Sequence, residues 1–255
     1  MSNITSLEYR IRFLEDVVFK DDPEIALFKV IFIRLKNILC INHGEDCISC
    51  KYKKCLYRYM SAGDFALMDS MPIKINKPLF SKRFIKKNEL LELNCIFLGN
   101  AAIHIDFFHF ALKDLEVRGL FKEEYKFCIE DVSIENVNLL EDNTFVNSIT
   151  VLTPIDNIKN IFEVEKEKIE RLNKLYGIID KKMPCIAEAY DFRAIQFHIR
   201  KSLHMGSNRI NQEGCIGKLQ FRTPVSNNSF LQLLKIIGMG KYYGIGGGQI
   251  KLGTI

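Results

Sequence analysis

Long apolar runs are missing from this sequence. No stretch approaches the roughly 20 uninterrupted apolar residues that a bilayer span needs. The opening, MSNITSLEYRIRFLED, also lacks the apolar centre of a signal peptide. The expectation is a soluble cytoplasmic protein without a membrane partner. Acids are scarce towards the end: from Arg200 onward eight lysines and arginines face Glu213 alone, so the formal +5 of the 255-residue chain is concentrated there on a slightly acidic body. Such asymmetry suits a polyanionic partner. Glycine is sparse as well, fifteen in all, yet seven fall between Gly238 and Gly253. Neither Walker spacing nor the strand–GxGxxG–helix order of a dinucleotide fold is present there, which excludes the two commonest glycine-rich nucleotide cradles.

What is present reads as two similar halves. LEYRIRF, from Leu7, alternates apolar and polar residues at the period of a half-buried strand. DDPEIALFKVIFIRLKNILC predicts a helix with Asp22 as N-cap, Pro23 at its first position, and a stripe of Leu27, Val30, Ile31, Leu35 and Ile38. PIKINKP and NELLELNCIFLG predict strands. HIDFFHFALKDLEVRG predicts a helix with Phe108, Ala111, Leu112 and Leu115 on one face and Gly119 as its stop, and EYKFCIEDVSI a further strand. The order is βαββαβ, the ferredoxin-like pattern. It recurs from NSITVLTPI onward. A helix follows with Ile169, Leu172 and Leu175 on its apolar face and Gly177 at its end, then strands FRAIQFHIRKS and GCIGKLQFRT, a short helix closed by Gly238, and the strand GGQIKLG. The expected fold class is α+β: two tandem ferredoxin-like, RRM-like domains, 1–152 and 153–255, with an insertion at about 40–71 in the first.

That insertion, CINHGEDCISCKYKKC, places Cys40, Cys47, Cys50 and Cys55 in a C-x6-C-x2-C-x4-C array. Four thiolates this close in a reducing compartment favour one tetrahedral zinc ion over two disulfides, and four protein sulfurs leave no open position for a reacting water. The expected cofactor is therefore one structural zinc and no catalytic metal; an iron–sulfur cluster uses the same ligands. Cys95, Cys128, Cys185 and Cys215 lie in apolar runs and read as small packing side chains. Lys51, Lys53, Lys54 and Arg58 surround the array with Tyr52, Tyr57 and Tyr59 interleaved, a mixture suited to RNA backbone and unstacked bases.

With the cysteine array, the stretch GSNRINQEGCIGKLQF and the closing GMGKYYGIGGGQIKLG in that order, the chain resembles the RAMP-type CRISPR repeat-processing endoribonucleases, in a branch with a four-cysteine insertion after the first helix. Gly238-Met239-Gly240, Lys241-Tyr242-Tyr243 and Gly244-Ile245-Gly246 are similar to the family's late glycine-rich loop, and Ser207, Asn208 and Arg209, then Gly214 and Gly217, to its RYS-x-RQ and G-h-x-G stretches. Met205 and Gly206 depart from that pattern. The resemblance implies RNA cleavage without a catalytic metal: the 2′-OH attacks the adjacent phosphate, leaving a 2′,3′-cyclic phosphate and a 5′-OH. Such chemistry needs a base, an acid and positive charge. His43, just after the first helix, is the first candidate base; His204 is the second, and Lys54 and Tyr57 are candidates for the acid or for stabilising the phosphorane. Ser207, Asn208, Arg209, Lys218, Arg222 and Lys241 are expected to contact RNA, with Gly240, Gly244 and Gly246 letting backbone N–H groups approach phosphate. The implied partners are CRISPR repeat RNA and subunits of a CRISPR effector complex. The alternative is a RAMP subunit that holds RNA without cutting it.

Overall fold

The computed structural model describes residues 3–42, 45–121, 124–139, 144–156, 160–179, 190–205 and 208–255, with backbone only over 201–205 and 208–212. The strands are β1 Ile4–Phe13, β2 Val17–Val18, β3 Ile73–Asn76, β4 Phe84–Ile85, β5 Leu90–Leu98, β6 Phe127–Asn136, β7 Phe145–Ile155, β8 Phe192–Met205, β9 Asn208–Ser226 and β10 Ile250–Thr254. The helices are α1 Pro23–Leu39, α2 Leu56–Met60, α3 Ile105–Arg118, α4 Ile161–Tyr176 and α5 Ser229–Ile237. Two four-stranded antiparallel sheets form, in the orders β3-β5-β1-β6 and β10-β7-β9-β8. Each runs fourth-first-third-second when read within its own βαββαβ unit, which is the ferredoxin-like topology. One compact unit comprises Ile4–Leu67 and Met71–Asn136; the other comprises Met1–Asn3, Met68–Ser70 and Val137–Ile255. This division falls ahead of β7 and leaves that strand whole. Among the described residues, no helix is long and apolar enough to cross a membrane.

In the first unit the period-two pattern of β1 buries Leu7, Tyr9, Ile11 and Phe13. Helices α1 and α3 cover that face with an aromatic cluster: Phe28 lies 4.8 Å from Phe32, and Phe108 lies 5.5 Å from Phe97. Of the expected α1 stripe, Leu27, Ile31 and Leu35 are fully buried, whereas Val30 and Ile38 are half-buried. Asp22 occupies the N-cap position of α1 without a side-chain capping bond. Its carboxylate pairs with Lys77 at 2.8 Å, both side chains almost wholly buried, so a buried charge takes a charged partner over a backbone dipole.

After α2 the backbone makes a left-handed turn: Ala62, Gly63, Asp64 and Phe65 have φ of 47°, 71°, 65° and 64°. Each non-glycine residue there costs roughly 1–2 kcal/mol. Two anchors hold it. Phe65 inserts against Phe32 at 5.0 Å, and the Asp64 carboxylate accepts from the Tyr57 hydroxyl while pairing with Lys36 at 2.7 Å.

The second unit packs α4 and α5 on one face of its sheet through Ile149, Leu219, Ile169, Leu172, Phe230 and Leu234. Leu175, assigned to the apolar face by its spacing, is half exposed; Tyr176 is the buried residue in the last turn, its hydroxyl donating to the Ser70 carbonyl at 2.7 Å. Two charges on α4 point into the interior. Glu165 and Lys168 are ion-paired with side chains 0% and 5% exposed. Lys168 donates to the carbonyls of Gly238 (2.8 Å) and Gly240 (3.2 Å), and the Gly240 N–H donates to Glu165 at 2.6 Å. The buried ring of Tyr243 lies 5.0 Å from the Lys168 ammonium. The glycine-rich segment is therefore wrapped around an ion pair. It also closes on itself: Met239 N–H donates to Gly248 O (2.8 Å) and Gly247 N–H to Tyr242 O (2.9 Å). Gly248, at φ 66°, has no room for a side chain, because a Cβ there would overlap the Met239 carbonyl.

Lys168→Met leaves Glu165 buried without its cation. We expect it to destabilise the protein by about 3–5 kcal/mol in urea denaturation, with the double change Glu165→Gln and Lys168→Met recovering part of that loss.

Candidate nucleic-acid interface

The glycine-rich segment does not offer the phosphate cradle its composition suggested. Gly240 N–H is taken by Glu165, Gly246 N–H donates to the Tyr243 carbonyl at 3.0 Å, and Gly244 and Gly246 are buried. In this arrangement the glycines serve close packing. Lys241 stands outside: its ammonium pairs with Asp156 at 2.9 Å, lies 5.0 Å from the Tyr242 ring, and is half exposed. The hydrogen bond to Asp156 raises its pKa further, so its charge is fixed.

Around the cysteine array, Cys47 and Cys50 are buried and Cys40 and Cys55 half-buried, all with free thiols. Burial, followed by the Asp64 carboxylate, pushes the Cys47 thiol up to about 11, and the neighbouring Cys40 and Cys55 act on it in the same direction. Three of the four sulfurs thus lie within electrostatic reach of one another. No group of three or more His, Cys, Asp or Glu among the described residues is drawn in to metal-binding distance. Tyr57, considered as an acid, is 1% exposed, and burial together with its bond to Asp64 raises its pKa strongly. It anchors the left-handed turn instead of facing solvent. Lys54 is exposed.

His43 and Ser207 lie outside the described residues. His204 and Arg209 pair across the β8–β9 hairpin, and Asn208 pairs with Met205 at its end. His198 is exposed and meets Glu213 at 3.2 Å. Within the first unit, His109 accepts or donates a 3.3 Å bond with the buried Tyr9 hydroxyl and stacks on its ring, and His104 packs edge-on against Tyr59, its pKa lowered by burial.

Among the described residues of this unit, α4 and α5 pack on one face of the second sheet and no helix packs on the other. Paired residues of neighbouring strands share a face, so register alone places Lys251, Thr150, Lys218 and Ile195 in one row across all four strands. Gln220 and Arg193 form the next row on β9 and β8, Ile216 and Phe197 the row on the other side. Lys218, Lys251 and Arg193 are exposed, and so are Ile195 and Phe197, each at 65%. Arg222 continues the β9 line and pairs with Asp191 at 3.1 Å. Charge alone singles out Lys218 and Arg222 in the sequence; Arg193, Ile195, Phe197 and Lys251 join them on this face only through the strand register. The alternation in FRAIQFHI was the available signal; which alternate set faces the helices depended on the hairpin register.

No curated protein matches the chain in sequence. Over nearly its whole length it superposes on solved RAMP and Cas6 structures. A RAMP protein binding different RNA substrates aligns with TM-score 0.54 and 15% identity over 97% of this chain and 99% of that one. The product of a Cas6-related gene from Pyrococcus furiosus aligns with TM-score 0.53 and 12% identity over 98% of both chains. A Cas6 product complex aligns with TM-score 0.52 and 12% identity over 99% and 100%. At such identities the likeness is one of fold, and the fold is the RAMP/Cas6 double ferredoxin-like arrangement. Residues 2–157 match the family model AF_1859_N, described as an N-terminal domain. That match covers more than half of the chain, and the protein belongs to the AF_1859_N family.

Proposed function

We propose that this protein binds precursor CRISPR RNA and cuts it within the repeats, supplying guide RNAs to CRISPR effector subunits. The observation that carries the reading is the exposed basic strip of Lys251, Lys218 and Arg193, set on a fold shared from end to end with RAMP and Cas6 structures. Arg209, Lys218, Arg222 and Lys241 neutralise phosphates, and Ser207 and Asn208 hydrogen-bond the RNA strand. Gly240, Gly244 and Gly246 act by keeping the loop packed, so that Lys241 and Tyr242 stand at its surface.

The reaction we assign takes a proton from the ribose 2′-OH, with His43 as the base. The 2′-oxygen bonds to phosphorus, the P–O5′ bond breaks, and His204 or Lys54 protonates the departing 5′-oxygen. Imidazole, with its ordinary pKa of ~6.5, serves either role near neutrality. Nothing in this sequence of bonds calls for a metal. Tyr57 takes no part, since its hydroxyl is committed to Asp64. The array of Cys40, Cys47, Cys50 and Cys55 holds one structural zinc, which would close the inserted loop; its spacing and its all-sulfur donors support that assignment.

Wild-type protein, His43→Ala and His204→Ala incubated with end-labelled repeat RNA, without added divalent metal, test the nuclease. One cut ending in a cyclic phosphate is expected from the wild type and not from His43→Ala; tight binding with no cut by the wild type would make the protein a non-catalytic RNA-holding subunit. Arg209→Ala combined with Lys241→Ala should weaken repeat binding and reduce the slope of log K against log salt by about 1.4, from two phosphate contacts on a single strand. Elemental analysis of purified protein should find one zinc per chain, reduced in Cys50→Ser, and chelation should lower thermal stability. Iron in its place would reassign the site to a cluster.

A further inference from the structure

The open face of the second sheet carries two large apolar side chains that folding does not explain. On β8, Phe192 turns inward and packs on Phe162 at 5.5 Å, while its alternate neighbours Ile195 and Phe197 turn outward and are 65% exposed each. The face around them is basic. Lys218 is the cross-strand partner of Ile195, Lys251 lies two strands away in the same row, and Arg193 precedes Ile195 by one alternation. Among the described positions of this face the one carboxylate is Asp191, already paired with Arg222. Glu213 belongs to the opposite face, beside His198.

We infer that this face is a platform for unstacked bases of single-stranded RNA, with Phe197 stacking on a base, Ile195 packing beside it, and Arg193, Lys218 and Lys251 taking the phosphates. This deepens the RNA-binding reading and rests on it; it assigns single-stranded RNA a place on the exposed side chains of β8, β9 and β10. An aromatic ring on a four-stranded antiparallel sheet, with cations on adjacent strands, meets both needs of such a strand. The ring offers a π-face that any base can use, and cations two strands apart, at about 10 Å, follow a backbone crossing the sheet. A folded protein partner would instead have to cover several unneutralised cations along with the apolar pair, so the charge favours a polyanion.

The chain contains no tryptophan, so Phe197→Trp introduces a lone indole reporter on the platform. Titration of that variant with a short oligouridylate and with repeat RNA should quench its fluorescence, and Phe197→Ala should lower affinity for both by about tenfold while leaving the salt slope unchanged. Lys218→Ala should lower that slope by about 0.7. Phe197 is a surface side chain; matching circular dichroism and melting of the variants confirm that folding is intact. Wild-type binding with no quenching and no loss in Phe197→Ala would overturn the platform and leave the RNA-binding reading standing. Absence of any RNA binding by the wild type would overturn both. Sedimentation showing that Phe197→Ala breaks self-association, with RNA affinity unchanged, would make this face a protein-docking surface and overturn the inference.

Discussion

The second unit is organised around a buried pair of opposite charges. Glu165 and Lys168, one helical turn apart on α4, are removed from water together, and that removal is costly unless every remaining donor and acceptor finds a partner. The partners come from the glycine-rich segment: two carbonyls for the ammonium and one N–H for the carboxylate. Glycine at 238 and 240 suits the positive φ that the loop takes at both positions, where a Cβ would crowd the Gly247 and Gly248 carbonyls and Ile155. Desolvation lowers the Lys168 pKa, and the neighbouring Glu165 carboxylate opposes that fall. Disturbing the loop therefore disturbs α4, and through Tyr243 and Tyr176 the packing at the end of that helix.

In the first unit a comparable logic fixes the inserted loop. Three non-glycine residues in the left-handed region are unfavourable in isolation, and they persist because Asp64 is held by Tyr57 and Lys36 while Phe65 is held by the aromatic cluster of α1. The turn ties α2 to α1 through Tyr57, Asp64 and Lys36, and Cys40 and Cys55 stand at the adjoining ends of those two helices. A metal would then close a loop whose ends are already fixed, which limits the conformational entropy it must remove.

Both βαββαβ patterns were legible because they rest on periodicity and on helix stops at Gly119, Gly177 and Gly238, which local sequence determines. The buried pair was not. Glu165 and Lys168 sit in EVEKEKIERL, where seven charges in ten residues read as a solvated face, and only the arrival of a segment some seventy residues later turns two of them inward. The same long-range contact decides the glycines: a phosphate cradle and a self-packed loop need identical backbone freedom and differ in which acceptor is nearby. Tyr57 illustrates the converse. Its place among lysines made it a candidate acid, but it lies buried with its hydroxyl bonded to Asp64, seven residues on. The open sheet face was half legible, its charges visible and its apolar pair hidden until the β8–β9 register was known.

The strand order has a further consequence for the chain as it is synthesised. The first sheet has all four strands once β6, ending at Asn136, has emerged. The second closes in the same way and later, its last strand β10 pairing with β7, the earliest of that unit, as β6 pairs with β1. Until Ile250–Thr254 arrives, β7 presents a free edge bearing Val146, Ile149 and Val151, and α4 carries two charges with no glycine loop to receive them. The second domain thus passes through an interval of translation in which the edge of β7 and the ion pair of α4 both await the same eighteen residues from Gly238 to Ile255.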